Sequence, residues 1–443
     1  MKRPIVITLL VIALALVCTG VGAVVFFSIR GNGGNFFTGK MPAYATAEEN
    51  KTIKVDAEIP VTLKVIDGAG SVTIIGADVT TIQVKVVKTA YAPSQSRADE
   101  EVKKIKYDID QVGNTVTLTY EYPTIHTGPP NIPIFDANAD TVDFVITVPN
   151  ETTVDVDNNL GSVSVVSTKG NIDIKNDFGD VTLENIEGAL TVQTNNGEVN
   201  ATSIKAGSEN IDLSSDFGGV TLEKAGGKDI ILDSHSGTII LNEVRATGEL
   251  NSNTDFGNTK FENGSANSLH IETNRGEVSL VKINVSKEIF IKDDFGDIEL
   301  EQAFAASYDM HANSGSITVD GAKGKLKADS DFGNITITNA QSVTLTIETN
   351  SGTVEFSGSL GVGPHFVKSD FGGIDISLPT DTKLTVDLKT DFGNIKSELP
   401  VTVILTDGAS SDGDQIAGDI NGGGEQLTVQ ANSGNINIRV SSK

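Results

Sequence analysis

Residues 172–200 read IDIKNDFGDVTLENIEGALTVQTNNGEVN, and the two glycine turns inside this stretch decide the fold. The first is Asp177-Phe178-Gly179, the second is TNNG ending at Gly197, and alternating apolar pairs such as Val181/Leu183 and Leu190/Val192 stand beside them. Outward from here both turns recur. Asp-Phe-Gly starts at Asp177, Asp216, Asp255, Asp294, Asp331, Asp370 and Asp391, in steps of 39, 39, 39, 37, 39 and 21 residues. Between them stand Gly237, Gly276, Gly315 and Gly352, in SHSGTI, TNRGEV, ANSGSI and TNSGTV, and the second form returns at Gly434 in ANSGNI. Merging the series gives glycine steps of 18 to 21 residues. The unit is therefore one coil of about 20 residues with two alternating turn types.

Alternating pairs after each glycine, among them Val220/Leu222, Ile239/Leu241, Ile298/Leu300, Ile335/Ile337 and Ile436/Ile438, mark strands with one buried face. Strands recurring at this period bury a common stripe only when successive coils stack in parallel, which predicts an all-β chain dominated by a parallel β-solenoid. Residues 151–443 form it, with about 14 coils and a length of about 70 Å at about 4.8 Å per coil. The structural turn residues are Asp177, Asp216, Asp255, Asp294 and Asp331 with Gly179, Gly218, Gly257, Gly296 and Gly333. Glycine is required at such a corner by a positive φ or by close approach to the coil beneath.

Reading down the turns gives columns. The aspartate column runs Asp177, Asn195, Asp216, His235, Asp255, Asn274, Asp294, Asn313, Asp331, Asn350, Asp370, so a neutral residue separates the carboxylates. Stacked carboxylates at about 4.8 Å repel, whereas Asp accepting from an Asn amide is favourable, and a structural ladder is expected. Asp391 follows Asp370 without an intervening partner. That pair is the metal-site candidate, for calcium; no other cofactor is expected. The next column holds Phe178, Phe217, Phe256, Phe295, Phe332, Phe371 and Phe392, alternating with Asn196, Ser236, Arg275, Ser314 and Ser351. Arg275 does not suit a buried column, so this row is placed at the solenoid edge. The phenylalanines are the binding-face candidates, either packing over turn backbone or contacting a glycan. Glu184, Glu223, Glu262, Glu301 and Glu398 have outward strand parity and read as a solvated acidic face.

Repetition also excludes a kinase reading and weighs against a glycosidase. A kinase carries one Asp-Phe-Gly with a glycine-rich loop, a strand lysine and a His-Arg-Asp loop, none of which is here. Glycoside hydrolysis needs one special carboxylate pair, and these carboxylates are interchangeable. A Gly/Asp-rich loop near 406–425 lacks calcium-loop spacing.

Ahead of the repeats, residues 48–150 read as a small β-rich module, with strands over 52–66 and 71–87, one short helix over 94–106, and further strands at 115–122 and 141–149. Residues 31–47 are a flexible tether. Residues 1–30 begin Met1-Lys2-Arg3 and continue as an almost unbroken apolar run from Ile5 to Phe27. As a helix it spans about 35 Å, enough for a hydrocarbon core of about 30 Å, and predicts an uncleaved single-pass signal anchor. Lys2 and Arg3 favour a cytoplasmic N-terminus with the bulk outside, at the cell membrane or surface.

The 33 basic and 59 acidic residues give a formal charge of −26, which repels nucleic acid. One cysteine, Cys18, and five histidines leave little for a thiolate metal site or disulfide. With 38% hydrophobic residues, 5% aromatic and no Trp, the core is large but thinly aromatic, which coil-on-coil stacking tolerates.

The order of parts, an anchor, a strand module containing GSVTIIGAD with a charged helix at Arg97–Lys106, the stop ITVPNET at Ile146–Thr152, and then G-x-V-x-V repeats, resembles the bacterial "putative adhesin" family of β-strand-repeat envelope proteins over residues 50–440. The resemblance implies a surface-exposed envelope protein and supplies no catalytic residue. The expected function is a non-enzymatic surface binding, adhesion or structural protein, held in the membrane by its N-terminal helix and meeting an envelope polysaccharide or protein. An envelope-stress signalling accessory is the alternative, and a carbohydrate-active enzyme the weaker one.

Overall fold

The computed structural model describes residues 43–56, 58–121, 140–403 and 414–441. Because side chains alternate along a strand, the apolar set of each coil points to one face, and parallel register stacks it on the set below. Ile172, Leu190, Ile211, Ile230, Leu250, Leu269, Ile289, Tyr308, Leu326 and Leu345 follow one another as direct pairing partners. None is more than 2% exposed, so water is excluded from the whole column. The strand after each turn gives a second column, Val163, Val181, Val199, Val220, Ile239, Thr259, Val278, Ile298, Ile317, Ile335 and Val354. A third strand of two residues per coil runs through 226–227, 245–246, 265–266 and 284–285. The parallel β-solenoid of about 20-residue coils is thus observed.

At most coils the turn glycine and the positive φ occupy different corners. Gly179 has φ 136°, but Gly218, Gly257, Gly296 and Gly333 lie outside the left-handed region. Space is what demands glycine: a Cβ on Gly296 would overlap the carbonyl oxygen of Gly276, and one on Gly257 that of Gly237. Left-handed residues stand just after the second strand, at Ser167, Lys224, Glu243, Asn263, Lys282 and Gln302, or within it, at Asn185 and Ser203, with φ between 51° and 61°. Their N–H groups stay in the ladder, as where Ser167 donates to Glu184 at 2.9 Å and Lys282 to Glu301 at 2.9 Å.

Coils stack in chain order along the middle but not at the ends. Glu425–Ser433 lies between His365–Phe371 and Leu384–Phe392, parallel to both, and Ile436–Val440 lies between Ile374–Leu378 and Ile395–Ser397. At the other end Val61–Asp67 lies between Thr115–Tyr120 and Thr152–Leu160, and Val72–Ala77 between Thr141–Pro149 and Val163–Val166. Residues 48–150 therefore contribute coils to the same ladder. Antiparallel strands cover both terminal coils: Thr81–Ala92 on Thr141–Pro149, Asp108–Val112 on Thr115–Tyr120, and Asp414–Ile420 on Leu384–Phe392. Uncovered, those coils would present unpaired N–H and C=O groups to other chains.

The finer sequence boundaries shift accordingly. The two long strands expected over 52–66 and 71–87 become Ala43–Lys54, Val61–Asp67, Val72–Ala77 and Thr81–Ala92, broken at Pro60 and around Gly68 and Gly70. The helix spans Gln95–Glu101 and buries Ala98. Asp414–Ile420 turns part of the expected Gly/Asp-rich loop into a capping strand, while 404–413 lie outside the described residues. The expected anchor over 1–30 also lies outside them; among the described residues no helix is long and apolar enough to cross a membrane.

Candidate functional site

The turn edge is built from the last inward residue of the first strand. At this position stand Asn158, Asn176, Thr194, Ser215, Ser234, Thr254, Thr273, Asp293, Ser330, Thr349, Ser369 and Thr390, all buried. Most donate to the carbonyl of a turn glycine: Asn176 to Gly179 at 2.6 Å, Ser215 to Gly197 at 2.9 Å, Ser234 to Gly218 at 2.9 Å, Ser369 to Gly352 at 2.9 Å. These bonds fix the corner, and the next two residues project outward from it.

The first of the two is the aspartate column. Asn195 donates to Asp177 at 2.8 Å, Asn350 to Asp331 at 2.7 Å and Asn432 to Asp370 at 2.8 Å, while His235 Nδ1 lies 2.6 Å from Asp255. The expected contact of Asp370 with Asp391 is corrected. The inserted Glu425–Ser433 strand puts Asn432 between them, so the carboxylates of this candidate metal pair do not share a site. Turn N–H groups are capped by another column, one residue past the glycine: Asp180 accepts from Glu198 N–H at 2.9 Å, Asp297 from Ser316 at 2.8 Å and Asn334 from Thr353 at 2.9 Å. The sequence carried that signal as the recurring Asp or Asn after Asp-Phe-Gly.

The second is the phenylalanine column, and it is exposed: Phe178 38%, Phe217 59%, Phe256 46%, Phe295 49%, Phe332 64%, Phe371 67% and Phe392 79%. Phe178 pairs with Asn196, which pairs with Phe217; Phe332 pairs with Ser351, which pairs with Phe371. Ser433 of the inserted strand stands between Phe371 and Phe392, so the two-coil alternation survives there as well. Arg275 places its guanidinium 5.5 Å from the Phe256 ring centroid and 5.7 Å from that of Phe295. His235 meets Phe217 at 6.2 Å and Phe256 at 5.9 Å, edge to face. Glu184, Glu262, Glu301 and Glu398 are exposed and Glu223 half-buried, as outward parity requires.

Three further arrangements lie off this edge. Asp293 is a carboxyl in the buried donor column: Phe295 N–H donates to Oδ1 at 3.0 Å, Oδ2 has no partner among the described residues, and burial, with the Asp294 and Asp297 charges, pushes its pKa up to about 7. Asp67 occupies the same column beside Asn158 and is pushed up to about 8 by burial and then by Asp143. On the outer face of the first strand, Asp309, His311 and Asp329 offer ligand atoms within 4.8 Å of one another, the donor set a divalent cation takes. His311 bridges the two carboxylates at 2.7 Å on each side, and Lys327 Nζ already lies 3.0 Å from Asp309. At the N-terminal cap Lys88, nearly buried, meets Glu49 at 2.6 Å, and the Tyr107 hydroxyl donates to Glu49 at 2.7 Å; Lys88 and Tyr107 hold the Glu49 carboxyl down to about 2. No spacing in the sequence announced either cluster, because their members come from different coils or from cap segments.

Fold and edge together define a parallel β-solenoid whose corner repeats carboxylate and aromatic groups every second coil. A family model described as "Toastrack DUF4097" matches residues 67–263 and 262–439, and the chain belongs to that family. The adhesin-like β-repeat resemblance read from the sequence is thereby supported. The strand ladder passes the junction of the two matches unbroken, with Glu262 paired to Val281. Among curated proteins none matches the chain. Among solved structures it is similar to a "putative cell adhesion protein" from Clostridium sporogenes, at 11% identity and TM-score 0.17 over 90% of this chain and 100% of that one. It is also similar to a "putative adhesin" from Bacteroides fragilis, at 16% and 0.27 over 68% and 99%, and to a "putative lipid binding protein" from Parabacteroides distasonis, at 14% and 0.19 over 73% and 96%.

Proposed function

We propose that this is a non-enzymatic surface protein, anchored in the cell membrane by residues 1–30, whose rod stands outside the cell and binds an envelope polymer or protein through its phenylalanine edge. The observation that carries the reading is the exposure of all seven phenylalanines, from 38% to 79%, along one line. Exposed apolar groups aligned in a row mark an interaction surface more often than scattered ones do. Even distribution of the edge groups favours binding over catalysis, since catalysis concentrates unlike groups in one place. Family membership supports the same coarse class.

The test has two arms. Protease added to spheroplasts degrades the rod if it lies outside, and full protection overturns the orientation. Purified protein carrying Phe332→Ala, Phe371→Ala and Phe392→Ala together retains its melting temperature but loses binding to envelope fragments; undiminished binding removes the edge from the reading.

A further inference from the structure

The edge contains its own example of an occupied site. Between Phe256 and Phe295 the guanidinium of Arg275 lies 5.5 and 5.7 Å from the two ring centroids, and these rings are 46% and 49% exposed. Between Phe332, Phe371 and Phe392 the corresponding residues are Ser351 and Ser433, and the rings are 64%, 67% and 79% exposed. Ser314 stands in the same way between Phe295 and Phe332. A serine does not reach across the gap between two rings; a guanidinium does.

We propose that the serine gaps between Phe295, Phe332, Phe371 and Phe392 are slots for arginine side chains of a partner polypeptide, which lies along the edge as a basic polyproline II segment. This rests on the reading of the edge as a binding face and names its occupant. Charge agrees. Asp331 accepts from Asn350 through Oδ1, Asp370 engages Asn432 and Lys368 through Oδ1, and Asp391 engages Lys389 through Oδ1, so among the described residues Oδ2 of each is left for an incoming donor. Lys368 and Lys389 temper the local field, and the net charge of −26 still attracts a cationic chain. Guanidinium suits the slot better than ammonium because its plane stacks on a ring face while its N–H groups reach carboxylate. Spacing selects the backbone. Alternate coils repeat at about 9.6 Å, and polyproline II repeats its side-chain direction every three residues, about 9.3 Å. Over three slots the two rulers drift by less than about 1 Å, whereas an extended β-strand puts every third side chain on the opposite face.

The experiment uses the full chain and a labelled peptide of four Pro-Pro-Arg repeats, with an isomer carrying its four arginines consecutively. The repeat peptide is expected to bind about tenfold more tightly than the isomer, and Phe371→Ala to remove that advantage. Ser351→Arg, which fills a slot as Arg275 does, is expected to weaken the repeat peptide, and Arg275→Ser to strengthen it by opening one more slot. Equal binding of the two isomers, or indifference to Ser351→Arg, means attraction to bulk charge alone and overturns the proposal. If the triple phenylalanine variant loses envelope binding while the peptide never binds, the binding face stands and its cationic occupant falls. Displacement of the bound envelope fragments by a neutral envelope glycan would likewise keep the face and remove the arginine-bearing partner.

Discussion

The side-chain amide of Asn432 donates to the Asp370 carboxylate at 2.8 Å, across 62 residues of chain. In the next coil outward stands Asp391, so the alternation of charged and neutral residues is kept by a coil that arrives last in sequence and is inserted second from the end of the parallel stack. Asn432→Asp places three carboxylates in successive coils. At about 4.8 Å between neighbours the expected loss is about 1 kcal/mol at low salt, recovered as salt rises. Calcium is expected to stabilise this variant in a saturable way and the unmodified protein no more than sodium at equal ionic strength, with thermal melts as the readout. A calcium-specific rise in the unmodified protein that disappears in Asp370→Asn would reinstate a native metal site.

Close approach, not positive φ, sets the demand at the glycine corner. Gly296→Ala is therefore expected to destabilise nearly as much as Gly296→Val, by about 3 kcal/mol, because the first added carbon already overlaps the Gly276 carbonyl. Lys282 has φ 56°, and Lys282→Gly is expected to be neutral or stabilising by up to about 1 kcal/mol, since the left-handed backbone no longer opposes a Cβ. Hydrogen exchange in the coils next to the substitution separates the two outcomes. A harmless Gly296→Ala would mean that the corner relaxes.

Period, strand alternation and the outward aspartate and phenylalanine columns were legible because each repeats in composition. The left-handed corner was not, since Ser167, Lys224, Glu243 and Gln302 share a backbone conformation and no side-chain chemistry. Coil order at the ends was invisible for a different reason. Asp370 and Asp391 look adjacent to any reading that assumes chain order, and only long-range pairing, which leaves no local periodicity, puts Asn432 between them. Asp293 could have been noticed, as a carboxylic acid where the neighbouring coils hold Thr273 and Ala312.

At Asp293 the column's usual donor to a glycine carbonyl is replaced by a carboxyl, and its Oδ2 and the Gly276 oxygen crowd the same point beside Gly296. Protonated, it supplies the donor that Ser and Thr supply elsewhere. Its folded pKa of about 7 lies above the ordinary 3.8, so the folded chain binds the proton more tightly than the unfolded one. The stabilisation is complete below about pH 4, falls by at most about 1.4 kcal/mol per pH unit as the unfolded carboxyl ionises, and is gone above about pH 7. Asp67 adds a loss of the same sign that extends to about pH 8. Asp293→Thr is expected to raise stability at pH 7.5 and to flatten the slope between pH 4 and 7, leaving the Asp67 part. Parallel stability–pH curves for the variant and the unmodified protein would contradict a protonated Asp293.

The inserted coil makes the C-terminal end of the stack sensitive to truncation in a way that sequential stacking does not. In a solenoid stacked in chain order, removing the last coil frays only its neighbour. Here a chain ending at residue 424 loses Glu425–Ser433 and Ile436–Val440, the first of which is the parallel partner of both His365–Phe371 and Leu384–Phe392. The retained Leu384–Phe392 segment then has no coil to rest on unless it shifts onto His365–Phe371, which would bring Asp391 beside Asp370 and Phe392 beside Phe371. Like-charge contact opposes that shift. Amides of residues 384–392 are therefore expected to exchange freely in the 1–424 chain although every one of those residues is present, and those of 366–371 to exchange faster than in the full chain. The 335–347 region, nearer the middle of the stack, keeps its protection because stability in such a stack is local. Full protection of 384–392 in the shortened chain would mean that the outer coil holds through its antiparallel Asp414–Ile420 partner alone, and that the insertion of the last strand is not what secures this end.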